Sequence, residues 1–197
     1  MTFYAPAAHK RRANDHYPTP PDLAQALPSG LALAGVDLPR PLYDPCHGEG
    51  ALLDALGGLG FGSDLHPEAY ARRTRAWAAP VDASDPEALD AALGSARSIV
   101  TNPPYGRDAE PIVRASLKLL KAGRIELAAF LLPLPWETAG SRALMLRGMA
   151  VRVVPCWRSV WVPGTKGNGK MNYAWLVWTS APPTFPITVY LRRANNA

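Results

Sequence analysis

Two hydrophobic rhythms alternate along this chain. Short apolar runs that end in proline, glycine or an acid read as strands: Pro41–Pro45, Phe61–Asp64, Val81–Ala83, Arg97–Asn102, Leu127–Leu134 and Val151–Val154. Between them, apolar residues recur every three to four positions. These stretches predict helices over Asp22–Leu27, from Ala51–Leu53 onward, and over Pro67–Ala79, Asp85–Leu93, Glu110–Lys121 and Thr138–Met149. In Glu110–Lys121, Ile112, Val113, Ser116, Leu117 and Leu120 share a face; an acid starts the helix, lysines end it and Gly123 stops it. Leu127–Leu134 is apolar throughout, as expected of a strand in mid-sheet covered on both faces. Thr19 is a candidate N-cap with prolines in the first turn, and Pro28–Pro39 reads as a linker or short helix. Strands alternating with helices predict an α/β fold with a largely parallel sheet.

The last third breaks this rhythm. Trp157, Trp161, Trp175 and Trp178 flank the glycine-rich basic segment Pro163–Lys170, and the two apolar runs around it read as an antiparallel hairpin. Trp175 and Trp178 are expected in the core. Trp157, Arg158 and Trp161 stay open between core packing and base stacking, because aromatics beside basic residues also bind bases. Pro182–Ala197 reads as a final extended segment or a tail, and residues 1–16 as a flexible basic arm before one domain over 17–197.

Charge sharpens the picture. The net charge is +5, yet all 16 carboxylates lie at or before Glu137. The following 60 residues carry eight arginines and lysines and no acid. Positive charge gathered in one third is the footprint of a polyanion binder, with residues 155–172 the candidate nucleic-acid-facing loop and Arg158, Trp161, Lys166 and Lys170 its candidate contacts. The longest apolar run is too short to span a bilayer, the basic start does not read as a signal peptide, and Cys46 and Cys156 have no metal-ligand spacing. The expectation is an intracellular, cytoplasmic protein without metal or membrane partner.

The chemistry concentrates in two places. Thr101-Asn102-Pro103-Pro104-Tyr105-Gly106 follows a β-branched pair and forms a stiff corner at a strand's C-terminal end, the edge where ligands bind in open α/β sheets. It offers a side-chain amide, carbonyls and an aromatic ring, a set suited to a planar group bearing an NH2. Upstream, Asp44-Pro45-Cys46-His47-Gly48-Glu49-Gly50 joins a strand to a helix through glycines that admit a ligand closely. Asp64, about twenty residues later, is placed to accept hydrogen bonds from a ribose diol. Without a three-glycine fingerprint, an adenosine lacking phosphates fits better than a dinucleotide.

Tyr17-Pro18-Thr19-Pro20, the Asp44–Gly50 loop, Asp64 and Asn102-Pro103-Pro104-Tyr105 occur in that order, and Tyr173–Trp178 closes the set. This set resembles the S-adenosylmethionine-dependent DNA N6-adenine methyltransferases, in particular small phage and prophage members, over residues 17–178. The resemblance implies a Rossmann-like class I methyltransferase fold: a seven-stranded, mostly parallel sheet with helices on both faces and a C-terminal antiparallel hairpin. It implies S-adenosylmethionine as cofactor and DNA as partner. Tyr17 and Thr19 would flank the cofactor's methionine end; Asp44, Pro45, Cys46, Gly48 and Gly50 would cradle its aminoacyl part and ribose. Asp64 would take the ribose hydroxyls and Asp82 the adenine amine, with Asn102 beside the cofactor. Asn102, Pro103, Pro104 and Tyr105 would form the catalytic corner: the Asn102 oxygen and the Pro103 carbonyl accept the adenine N6 protons, and Tyr105 stacks on a base flipped out of the duplex. Asn also stands at this position in relatives that methylate RNA bases or protein glutamine. Those activities, or a non-catalytic nucleic-acid-binding role, are the alternatives.

Overall fold

The apolar runs assemble side by side. In the computed structural model, which describes residues 18–66, 80–161 and 171–193, one sheet contains β1 (Leu42–Asp44), β2 (Gly60–Gly62), β3 (Ser98–Thr101), β4 (Leu127–Pro133), β5 (Val151–Pro155), β6 (Tyr173–Thr179) and β7 (Ile187–Leu191). Their order is β2-β1-β3-β4-β6-β5-β7. Strand β6 runs antiparallel to β4 and β5, and all other neighbours are parallel. The sheet is thus mostly parallel, with the expected antiparallel element near the C-terminus.

Helices cover both faces. On one side lie α1 (Pro21–Ala34) and α2 (Ala51–Ala55); on the other lie α3 (Pro86–Ala92) and α4 (Ala109–Lys121). Strand β4 shows why its sequence is apolar throughout. Leu127, Ala129 and Leu131 enter the α1/α2 core, while Ala128, Phe130 and Leu132 enter the α3/α4 core. With successive side chains pointing to opposite faces, two-sided burial leaves no position for a polar residue. Helix α4 buries Ile112, Val113, Ala115, Ser116 and Leu119, with Glu110 in its first turn and Lys118 and Lys121 in its last. Asp85 caps α3 by accepting from the backbone N–H of Glu87 at 2.9 Å.

Three local expectations are corrected and two open ones are decided. Thr19 does not cap α1: Pro20 holds that position and no side chain caps it. Of the two readings of Pro28–Pro39, the helix holds for 28–34, because α1 runs through Pro28 to Ala34. Burial of Leu23, Ala24, Leu27 and Leu31 outweighs the roughly 3 kcal/mol that an interior proline costs a helix. Val81–Ala83 is a turn, not a strand. Asp82 Oδ1 accepts from the N–H and the hydroxyl of Ser84 at 2.9 and 2.7 Å, a local bonding pattern that competes with a ladder. Thr138–Met149 is not one helix; Leu134–Thr138 and Gly140–Arg142 form 3-10 turns before the single turn of α5 (Ala143–Leu146). Of the two readings of Pro182–Ala197, the extended segment holds: it contains β7, paired parallel to β5. Seven strands are therefore reached with a different membership from the one read in the sequence. The predicted helix over 67–79, the arm 1–16 and Pro163–Lys170 lie outside the described residues. No helix among those described is long and apolar enough to cross a membrane.

Candidate active site

Strand order reverses around β1, which has β2 on one side and β3 on the other. A crevice at the C-terminal ends of strands is expected at such a point. A cavity of about 620 Å3 lies there, walled by residues that follow β1, β2 and β3. Thr19, Asp44, Pro45, Cys46, Gly48, Asp64, Asp82, Asn102, Pro103, Pro104 and Tyr105 all line it. Five separate stretches of sequence thus converge on one space. Tyr17 falls outside the described residues.

Asp44 ends β1 and is buried. Its Oδ1 accepts from the Thr101 hydroxyl at 2.7 Å and from the Cys46 N–H at 3.0 Å. Burial pushes its pKa up to about 7 despite these two donors. Burial and the neighbouring Asp44 likewise push the Cys46 thiol up, so Cys46 is no thiolate nucleophile.

The glycine loop is held from the far side. Asp64 accepts from the backbone N–H groups of Gly48 and His66, each at 2.9 Å, and so ties the loop after β1 to the loop after β2. His47 packs between two glycines: a Cβ on Gly62 would lie 2.5 Å from its Nδ1, and one on Gly50 2.9 Å from its Nε2. Gly50 also takes φ +89 as the residue before α2. It is not on the cavity wall, so the structure gives it the job of shaping the loop. Burial lowers the His47 pKa, which keeps the imidazole neutral at physiological pH. Asp82 reaches the cavity from its turn, its carboxyl held below the usual range by the Ser84 hydroxyl and N–H.

The corner after β3 faces the same space. Asn102 Nδ2 donates to Thr19 Oγ1 at 3.1 Å, and its Oδ1 accepts from the Tyr105 hydroxyl at 2.6 Å. The Tyr105 ring meets Tyr173 (centroids 5.5 Å apart) and stands edge-on to Trp161 (6.4 Å, 88°). Trp161 and Tyr173 touch each other at 4.9 Å.

The two open tryptophans separate. Trp157 Nε1 donates to Asp22 Oδ2 at 2.9 Å, joined there by the Ser159 hydroxyl at 2.8 Å and Arg193 at 3.2 Å. Trp157 therefore pins its segment to α1, while Trp161 reaches the Asn102–Tyr105 corner. Arg158 between them is exposed; Lys166 and Lys170 lie outside the described residues. Beyond Pro111, which lines both spaces, an open groove of about 610 Å3 carries Arg107, Arg114 and Arg142. Arg142 stacks 4.3 Å over Trp136 and, with Arg114, binds Glu110, whose carboxyl is held low by both. Among the described residues, no cluster of His, Cys, Asp or Glu could hold a metal.

Several residues at the site are not singled out as contacts in the sequence reading: His47 and Glu49 within the expected loop, His66, Ser84, and Tyr173 beside the corner. For His47 the signal was its place inside the glycine loop. For Tyr173 it was its place at the start of the strand after the basic segment.

No family model matches the chain, and no curated protein does. Solved structures do. A Pyrococcus horikoshii protein inferred to be an RNA methyltransferase superposes with TM-score 0.54 at 11% identity, over 84% of this chain and 87% of its own. This chain has a methyltransferase fold. A class I S-adenosylmethionine-dependent methyltransferase inferred in Listeria monocytogenes matches at TM-score 0.49 and 14% identity, over 93% of this chain and 68% of its own. The rRNA methyltransferase AviRa of Streptomyces viridochromogenes matches at 0.47 and 18%, over 86% and 88%. At such identities the methyltransferase likeness is one of fold.

Proposed function

We propose that this protein transfers a methyl group from S-adenosylmethionine to the exocyclic N6 amine of adenine in DNA, within the cytoplasm. One observation carries the reading: the Asn102-Pro103-Pro104-Tyr105 corner opens into the same cavity as the Asp44 loop, Asp64 and Asp82. The cavity is of ligand size, and its donors suit the cofactor. A carboxylate at Asp44 favours an ammonium group, Asp64 a ribose diol and Asp82 an adenine amine. Bound there, the cofactor supplies a methyl group already activated by its sulfonium.

The chain's own task is then to hold the acceptor. Adenine N6 is a weak nucleophile because its lone pair is delocalised into the ring. Asn102 Oδ1 and the Pro103 carbonyl accept the two N6–H bonds and leave the lone pair facing the methyl carbon. Tyr105, with Trp161 and Tyr173 behind it, presents an aromatic face to the base. Positioning and fixed dipoles supply the rate, and the surplus proton leaves the product amine without a dedicated base. In duplex DNA the base first leaves the stack, at a few kcal/mol. The arginine-lined groove that adjoins the cavity at Pro111 supports a polyanionic substrate, since its lining residues include three arginines, Arg107, Arg114 and Arg142, against one acid, Glu110.

RNA adenine methylation is the second reading, favoured by Asn102 and by the RNA methyltransferase inferred for the P. horikoshii protein of like fold. The deciding experiment supplies labelled S-adenosylmethionine with unmethylated duplex DNA or RNA, followed by nucleoside analysis. Wild-type protein should make N6-methyladenine in DNA and Asn102→Ala should not. Transfer to RNA alone would replace the first reading with the second.

A further inference from the structure

A primary amide has an oxygen and an NH2 of nearly the same shape. If Asn102 grips an amine, only one sense of its side chain works: reversed, it would offer two donors to a group that itself donates. Contact lengths identify the sense. The 2.6 Å contact to Tyr105 is short for N–H···O, which spans about 2.7–3.2 Å, but ordinary for O–H···O. The phenol therefore faces Oδ1. The 3.1 Å contact to Thr19 has the length of an N–H···O bond from Nδ2.

We infer that Thr19 is a positioning residue whose hydroxyl oxygen accepts from Asn102 Nδ2 and so fixes Oδ1 toward the incoming amine. Thr19 is buried and caps no helix, so its hydroxyl is not committed to the start of α1. The Tyr105 hydroxyl holds one lone pair of Oδ1, the atom that must also receive the amine, so it competes with the substrate there. The Thr19 contact lies on Nδ2 and is untouched by that competition. The inference rests on Asn102 as the amine acceptor, and holds for adenine in DNA or in RNA alike. It gives Thr19 a task apart from flanking the cofactor.

The test compares Thr19→Val, which keeps the shape, with Thr19→Ser, which keeps the hydroxyl. Turnover on DNA and RNA oligonucleotides is read beside the Asn102 side-chain NH2 signals in a nitrogen-15 proton spectrum, assigned by their loss in Asn102→Ala. Thr19→Val should lower kcat about tenfold or more, with the KM for S-adenosylmethionine near wild type, and should shift the NH2 signals. Thr19→Ser should restore both. In an Asn102→Asp background the valine effect should vanish, because a carboxylate has no wrong sense. Unchanged kcat and NH2 signals in Thr19→Val, or a rise in cofactor KM alone, would overturn the assignment. If wild type methylates no nucleic acid, the functional reading fails, and the NH2 signals still decide the role of Thr19.

Discussion

The Tyr105 hydroxyl donates to Asn102 Oδ1 at 2.6 Å, the acceptor that the proposed reaction assigns to the substrate amine. In that reaction the phenol and the amine compete for the two lone pairs of one oxygen. Removing the hydroxyl while keeping the ring should therefore help binding. Tyr105→Phe is expected to lower the substrate KM by up to about tenfold, the net value of one hydrogen bond. Tyr105→Ala should raise KM, because base stacking is worth roughly 1–3 kcal/mol. Equal losses in both variants, measured by steady-state kinetics, would contradict this.

Asp44 makes stability and binding respond to pH in opposite directions. Its pKa is about 7 when folded, against an ordinary 3.8. Between those values the folded chain keeps a proton that the unfolded chain releases, so stability falls as pH rises from about 4 to about 7 and then levels. Asp44→Asn should remove that slope and be the more stable form above pH 7, by at most about 4 kcal/mol. An ammonium bound beside Asp44 favours the ionised form, so wild-type affinity for S-adenosylmethionine should rise between pH 6 and 8 and that of Asp44→Asn should stay flat. Thermal melts and calorimetric titrations at several pH values check both halves.

Arg107 follows the Asn102–Tyr105 corner and lines the adjoining groove. Arg107→Ala should weaken oligonucleotide binding and reduce the slope of log K against log salt by roughly 0.7–0.9, the loss of one phosphate contact. An unchanged slope in fluorescence anisotropy would place the backbone elsewhere.

Asp22 gathers Trp157, Ser159 and Arg193 on one carboxylate oxygen. Asp22→Ala should cost about 1–3 kcal/mol by leaving partly buried donors without their acceptor. It should also expose residues 156–161 to limited proteolysis. Because that segment carries Trp161 to Tyr105, turnover should fall more than stability alone explains. A variant as protease-resistant as wild type would show that the segment is held by other contacts.

Sequence made the centre of the fold legible where local chemistry and burial agree. Asp44 and Asn102 stand where apolar runs stop, and the stops are written in proline and glycine. β7 reads only as an extended segment or a tail, because its half-buried alternation needs β5 beside it and nothing nearby announces the partner. The fates of Trp157 and Trp161 were equally hidden. Both are aromatics near Arg158, and what separates them is a carboxylate 135 residues from Trp157. Thr19 reads as a helix cap on local grounds, yet its partner lies 83 residues away. Local rules see the residue type and not the neighbour that folding brings.

Val81–Ala83 contributes a wall of the cavity while pairing with no strand among the described residues; a backbone bond from the Val81 N–H to the Asp64 carbonyl at 3.1 Å joins it to the loop after β2. That wall can be redrawn without disturbing the ladder that holds the fold. Selectivity at the Asp82 end of the cavity and robustness of the scaffold are therefore separable properties here. Substitutions at Val81 and Ser84 offer a place to admit enlarged cofactor analogues at little expense to folding.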